Sequence, residues 1–254
     1  MSAQIQSIQR AAAVLRLLSA RSGRRALAEL ASELDLPRGT VYGIVRTLQT
    51  VGFVEQDSES GKYQLGAALL HIGARFLNGN ELRRRAITWA DSLATRLDAS
   101  VLVGMLHENH VLIVHHVHRP AGALQAVTVG DLMPPHATAL GKALLAYHPR
   151  LVAELAAGGL ERYTDATLTD LDRLHEELAE VADRGWASDV EELLPDVACI
   201  AAPIENRERI VVGAVAISGS VAGICSDRSP RIDLAEPVIE CGRAISRELG
   251  RTAW

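Results

Sequence analysis

Between residues 27 and 48 the apolar positions recur at helical spacing in two short runs. Leu27, Leu30, Ala31 and Leu34 fall at i, i+3, i+4 and i+7, and Val41, Ile44, Val45 and Leu48 repeat the arrangement. Each run therefore gathers its apolar side chains on one face of a helix and leaves the other face to water. Asp35 and Leu36 fill the turn between them, and Pro37 suits the first position of the second helix, where the missing N–H has no intrahelical partner to lose. Two strand-like runs follow, Phe53 to Gln56 and Lys62 to Leu65, flanking a turn-rich stretch at 57–61. They predict a β-hairpin directly behind the second helix. A helical hairpin alone is commonplace in enzymes, but two helices with this turn and a hairpin wing form the pattern of a winged helix-turn-helix.

The outward positions near the start of the second helix are Arg38, Gly39, Thr40, Tyr42, Gly43 and Arg46. The N-terminal part of a recognition helix meets base edges in a major groove. Arg38 suits a bidentate contact to a guanine edge, Thr40 a thymine methyl and Arg46 a phosphate. Gly39 and Gly43 weaken the helix by roughly 1 kcal/mol each relative to Ala, a cost explained by close approach of the backbone to a duplex. Lys62 on the wing is a further candidate phosphate contact.

Helical spacing also marks residues 7–20 and 67–77, the latter broken by Asn78-Gly79-Asn80, and a longer helix at 81–97 with Leu82, Ala86, Trp89, Ala90, Leu93 and Leu97 on one face. This long helix reads as a connector, and Arg83-Arg84-Arg85 on it as a solvated face. From Ser100 the period changes to that of strands. Strands are expected at 101–106 and 111–114 around a turn at Glu108-Asn109, at 123–129, at 198–204 and at 210–218, with helices at 140–147, 170–183 and 235–249. Strands mixed with helices but without βαβ alternation indicate an α+β domain with an antiparallel sheet. The expected division is a DNA-binding domain at 1–66, a helical connector at 67–98 and this α+β domain at 99–254.

The 254 residues carry a formal charge of −5, which at first argues against nucleic acid. By segment the balance differs: residues 1–80 hold nine Arg/Lys against six Asp/Glu, while residues 81–254 hold seventeen against twenty-five. The basic part coincides with the helix-turn-helix. Cys199, Cys225 and Cys241 show no C-x-x-C spacing, which fits a reducing cytosol. No apolar run reaches the length of a membrane span, and the N-terminus lacks the pattern of a signal peptide. The chain is expected in the cytoplasm.

Five of the nine histidines, His107, His110, His115, His116 and His118, lie within twelve residues. Strand alternation puts His116 and His118 on one face and His115 on the other, so the cluster divides and no metal site is expected. Pro134-Pro135 forces an extended approach to a short helix near Ala139, whose first N–H groups and nearby Lys142 suit an anion or carbonyl. Lys142 is one of only two lysines in the chain; the bland alternative leaves it pointing to solvent. Ser218 is not in a G-x-S-x-G elbow, and Cys199 lies in an apolar run of the kind that keeps a thiol inert. No motif calls for a cofactor or a catalytic residue, so a binding module fits better than an enzyme. A hydrolase, or a sensory interaction module with an accessory N-terminal domain, are the alternatives.

The segments Ser7-Ile8-Gln9-Arg10-Ala11, the helix-turn-helix, Val51-Gly52-Phe53-Val54-Glu55, Tyr63-Gln64-Leu65-Gly66, the stretch 138–146 and the block 199–219 together resemble the IclR family of bacterial transcriptional regulators. Within it, Arg46-Thr47-Leu48-Gln49, the stretches 52–57 and 111–117, and Asp189-Val190-Glu191-Glu192 are similar to regulators of glycerol operons. The resemblance implies a winged-helix domain, a connecting helix and a GAF-like effector domain, working as a homodimer or homotetramer on palindromic operator DNA, more in the manner of a repressor. It also implies an effector pocket built from Ala139, Leu140, Asp189, Cys199 and Ser218, with Ala216 standing where the family has a serine. That loss of a hydroxyl disfavours a glyoxylate-type effector. Asp189 suits the hydroxyls of a polyol; the helix start with Lys142 suits a phosphate. The combination favours a small polyol phosphate such as glycerol 3-phosphate over an unphosphorylated polyol or another small acid. Effector binding is expected to reposition the recognition helices through the helix at 81–97.

Overall fold

The computed structural model describes residues 5–20, 23–119 and 127–250. The chain divides into two compact units, Met1–Gly79 and Asn80–Trp254.

In the first unit, α1 (Gln6–Ser19), α2 (Leu27–Glu33) and α3 (Arg38–Thr50) precede a hairpin of β1 (Val54–Gln56) and β2 (Tyr63–Leu65), and α4 (Ala68–Gly79) ends it. The two apolar stripes read from the sequence meet here: Leu30 and Ala31 of α2 pack with Val41, Val45 and Leu48 of α3, with Val14 and Leu18 of α1 and with Val54 and Tyr63 of the wing. Glu29 accepts the Ala26 N–H (2.6 Å), tying down the start of α2. Asp35 takes a left-handed conformation (φ 50°) in the turn. Pro37 is the N-cap of α3 rather than its first helical residue, with ψ 136°, because the helix needs an extended residue at its entry and Pro37 supplies it. The wing pairs antiparallel, Val54 opposite Leu65 and Gln56 opposite Tyr63, and Arg25 bridges Tyr63 from the other side. No residue of α4 is buried.

The second unit opens with α5 (Glu81–Leu97), which begins at an N-cap where Asn80 accepts the Arg83 N–H (2.8 Å). Antiparallel strands follow, β3 (Ser100–His107) and β4 (His110–Val117), then a short edge strand β5 (Leu132–Met133). After them come α6 (Ala139–Leu145), α7 (Pro149–Gly158), α8 (Leu171–Arg184), β6 (Ala187–Val190), β7 (Val197–Glu205), β8 (Val211–Ser220), the single turn α9 (Val221–Ile224), a two-residue pair β9 (Cys225–Ser226) and β10 (Ser229–Pro230), and α10 (Ile232–Glu248). The main sheet has the order β5-β4-β3-β8-β7-β6, antiparallel throughout. Strand alternation splits it into two apolar faces. Val101, Val103, Ile200, Ala202, Val215 and Ile217 pack against α5 and α10, whereas Leu102, Cys199, Ala201, Ala214 and Ala216 face α6.

Two further expectations need correction. The helix at 81–97 was expected to be a connector, but Leu82, Ala86, Ala90 and Leu93 are built into the sheet's core. It belongs to the second unit because its stripe has an apolar sheet to cover. The expected strand at 123–129 falls partly outside the described residues. Its described end, 127–129, is coil and turn, and Leu132–Met133 supplies the edge strand instead. Helix α7 and strand β6 were not anticipated. In β6, burial alternates over only four residues, too short a run to register as a strand pattern.

Candidate functional site

The α3 face expected to read DNA stands outward. Arg38, Gly39, Tyr42, Gly43 and Arg46 are exposed, while Thr40 is half-buried. A Cβ built on Gly39 or Gly43 would meet nothing within 4 Å, so the chain's own packing does not demand glycine at either. Neither Arg38 nor Arg46 has an ion-pair partner among the described residues. The wing's Lys62 is half-buried and rims a shallow groove with Arg24, Arg25, Glu29, Glu33 and Ser60. Arg24 pairs there with Asp57 (3.4 Å) and Arg25 with Glu33 (3.2 Å).

In the second unit, sheet register gathers the polar candidates. Asp189 of β6 lies opposite Cys199 of β7, Cys199 opposite Ser218 of β8, and Ser218 opposite Ser100 of β3. Directly opposed residues share a face, so these four form a polar row across an otherwise apolar sheet. All four are buried. Helix α6 covers the row with every residue buried. Its N-cap Thr138 accepts the Gly141 N–H (3.2 Å) and donates to the Pro134 carbonyl (2.9 Å). Gly141 is required here: a Cβ would come within 2.1 Å of the Pro135 oxygen.

Between the helix start and the row lies a pocket lined by Leu102, Met133, Thr138, Ala139, Leu140, Asp189, Leu193, Leu194, Val197, Cys199 and Ala216. Its cavity volume is about 10 Å3, room for one water molecule, so any larger occupant must displace a wall. The loop carrying Leu193 and Leu194 is tied down from behind, the Thr164 hydroxyl donating to the Glu191 carbonyl and the Thr167 hydroxyl to the Glu192 carbonyl, both at 2.6 Å.

Asp189 is the pocket's ionisable wall group. Burial raises its pKa to about 6, opposed by the charge of Lys142 and by hydrogen bonds from the Glu192 and Ala139 amides and the Cys199 thiol. Glu192, behind it, is raised to about 7 by burial, again against the pull of Lys142. Burial and the neighbouring Asp189 push Cys199 well above the usual thiol range, which keeps it protonated and poorly nucleophilic. Ser218 Oγ, beside Cys199, makes no hydrogen bond of ordinary geometry among the described residues.

Lys142 takes neither of the places expected for it. It is 0% exposed, and its ammonium donates to Glu177 and Glu192, each at 2.6 Å. Burial opposes its charge, but the two carboxylates outweigh that and raise its pKa. It is neither a solvated surface charge nor a free cation for a ligand, because the ion pair is what makes its burial tolerable. The Ala139 amide, expected to greet an anion, is likewise engaged by Asp189. Sequence reasoning missed Glu177, and it passed over Glu192 as a pocket element. The signal for Glu192 was there, since it sits three residues after Asp189 and its N–H returns to the Asp189 carboxylate (3.3 Å).

The histidine run divides as strand alternation requires. His115 Nε2 faces Asp91 on α5 at 3.8 Å, while His116 and His118 stack edge to face with centroids 5.8 Å apart. Among the described residues no three metal-ligating side chains converge.

Residues 7–58 match the IclR helix-turn-helix domain, and residues 74–247 match the family described as bacterial transcriptional regulator IclR C-terminal. The chain belongs to the IclR family. A glycerol operon regulatory protein of Streptomyces coelicolor is 47% identical over 250 residues, 98% of each chain, and one of Streptomyces griseus is 44% identical over the same span. Among solved structures, an IclR transcriptional regulator of Alicyclobacillus acidocaldarius superposes with a TM-score of 0.82 at 27% identity, covering 98% of this chain and all of that one. An IclR homologue of Microbacterium hydrocarbonoxydans, complexed with 4-hydroxybenzoate, shares the fold at 22% identity with a TM-score of 0.83 over 96% of this chain and 99% of its own. This IclR-family chain is therefore a DNA-binding transcriptional regulator with a C-terminal domain for a small-molecule effector. No helix among the described residues is long and apolar enough to cross a membrane.

Proposed function

We propose that this regulator represses a glycerol-utilisation operon from the cytoplasm, and that a small effector in the Asp189 pocket releases it from its operator. The observation that carries the DNA-reading part is the α3 face. Arg38 and Arg46 are exposed without ion-pair partners among the described residues, and Gly39 and Gly43 stand in open space. Arg38 reads a base edge near the helix start, Tyr42 lies one turn on, and Arg46 holds a phosphate. Thr40, half-buried on α3, and Lys62, half-buried on the wing, add further contacts to the duplex. The 47% identity to a glycerol operon regulatory protein over 98% of both chains supports the pathway.

The regulator acts as a homodimer, or as a tetramer of two dimers. Ile5, Ile8, Leu70 and Phe76 are large apolar side chains left at 53–77% exposure in the first unit, more than a chain working alone has reason to show. Two recognition helices then meet half-sites about one helical turn apart, and an effector needs about 1–3 kcal/mol of coupling to change occupancy 5- to 150-fold.

The test is a titration of labelled DNA from upstream of the glycerol genes against a scrambled duplex at several salt concentrations. Tighter binding to the upstream fragment, with a steep salt slope on both, is expected. Equal affinity for the two duplexes would remove the operator assignment.

A further inference from the structure

We propose that the Asp189 pocket takes a small uncharged polyol, whose hydroxyls donate to Asp189 and accept from Ser218, and that it rejects the phosphate ester of that polyol. This deepens the effector reading above and rests on it. The chemistry of the walls selects the class. Among the described residues the pocket's lining contains a carboxyl group, a thiol and a threonine among apolar side chains, and no cation. Lys142, the cation behind it, is buried and already holds two carboxylates at 2.6 Å. Two of the amides at the start of α6 are also spoken for, Ala139 by Asp189 and Gly141 by the Thr138 hydroxyl.

With every group ionised, Lys142, Glu177, Glu192 and Asp189 together carry an excess of two negative charges. A phosphate dianion entering beside them meets like charge in a poorly solvated site. A hydroxyl meets what it can satisfy. Asp189 already accepts from the Glu192 and Ala139 amides and the Cys199 thiol, and a carboxylate's two oxygens keep acceptor capacity beyond those three. Ser218 Oγ, wholly buried, touches the Cys199 thiol but makes no hydrogen bond of ordinary geometry among the described residues, so it too has bonding capacity to spare. Ser218 shares a sheet face with Ala216, two residues away, which lines the pocket. Size points the same way, because the walls around a cavity of about 10 Å3 must shift for any larger occupant, and a three-carbon polyol asks for less displacement than its phosphate.

The experiment uses the full-length protein with glycerol, sn-glycerol 3-phosphate and inorganic phosphate as probes, reading both operator release and melting temperature. Asp189→Asn and Ser218→Ala serve as baselines that subtract the general stabilisation any polyol gives; each variant's own operator titration checks that it folds. Glycerol is expected to release the operator and to stabilise wild type beyond both variants, with the phosphate ester roughly tenfold or more weaker, the consequence of one unscreened like charge. Glycerol should also bind more tightly as pH rises from about 5.5 to about 8, as Asp189 ionises. Tighter binding of the phosphate ester overturns the inference while leaving a glycerol-pathway regulator standing. Indifference of stability and operator occupancy to all three probes overturns the inference and the glycerol assignment together, and leaves the operator titration as the independent measure of DNA binding.

Discussion

Replacing Lys142 by Met removes one charge and little else. Methionine reproduces much of the apolar stem, so the loss is of the two contacts at 2.6 Å to Glu177 and Glu192. Glu192 is then left as a buried carboxylate beside Asp189 with no cation. Removing one partner of a buried pair costs about 3–5 kcal/mol. For a unit of this size that lowers the melting temperature by roughly 6–20 °C.

The loss carries a pH signature that a mere packing defect lacks. Glu192 titrates at about 7 in the folded protein against an ordinary value of 4.5. A raised pKa means that the folded state holds the proton more tightly than the unfolded one. The associated stability is complete below the ordinary value and is lost as pH rises through the folded one. Without Lys142 the carboxyl is pushed higher still, so variant and wild type diverge above about pH 7 and converge toward about pH 5, where the carboxyl is neutral in both. Urea melts across that range measure the difference. A penalty below about 1 kcal/mol at pH 8, or one of equal size at pH 5, refutes the account of Lys142 as a buried counter-charge.

Arg38→Ala should flatten base preference at one operator position, a loss of about 1–3 kcal/mol of discrimination, whereas Arg46→Ala should weaken all duplexes alike and reduce the salt slope by about one phosphate contact; equal losses on specific and scrambled DNA for both variants would sink Arg38 as a reader. Gly141→Ala places a methyl 2.1 Å from the Pro135 oxygen, a backbone atom with no room to yield, and should destabilise the second unit by about 1–3 kcal/mol or more; an unchanged melt would show that the α6 start is looser than described. Asn80→Ala removes the side chain that accepts the Arg83 N–H at 2.8 Å and should cost about 1 kcal/mol, read as a drop of roughly 2–4 °C in melting temperature.

Which of these features could be read from the chain alone follows from how local the governing physics is. The helix-turn-helix was legible because each apolar stripe is complete within about ten residues and both are closed by their own turn chemistry. The hairpin at Glu108 was legible for the same reason, and Glu108 takes the left-handed φ of 51° that such a turn asks for. The placement of 81–97 was not. Its stripe shows that one face is covered but is silent on what covers it, and α5 found the sheet rather than a role as a free connector.

The pocket shows the same division more sharply. Asp189, Cys199 and Ser218 were reached by resemblance. Their alignment in one row across β6, β7 and β8 is a matter of strand register, which no single segment encodes. Lys142 was noticed for its rarity and misjudged because its partners, Glu177 and Glu192, are 35 and 50 residues away. A lone lysine in a sequence reads as a cation seeking an anion, and this one had found two within the chain. That changes the ligand argument, because a cation already matched by carboxylates adds negative surroundings to a pocket instead of positive ones. The identity of an effector is thus set less by the residues that touch it than by the charges that those residues have already settled among themselves.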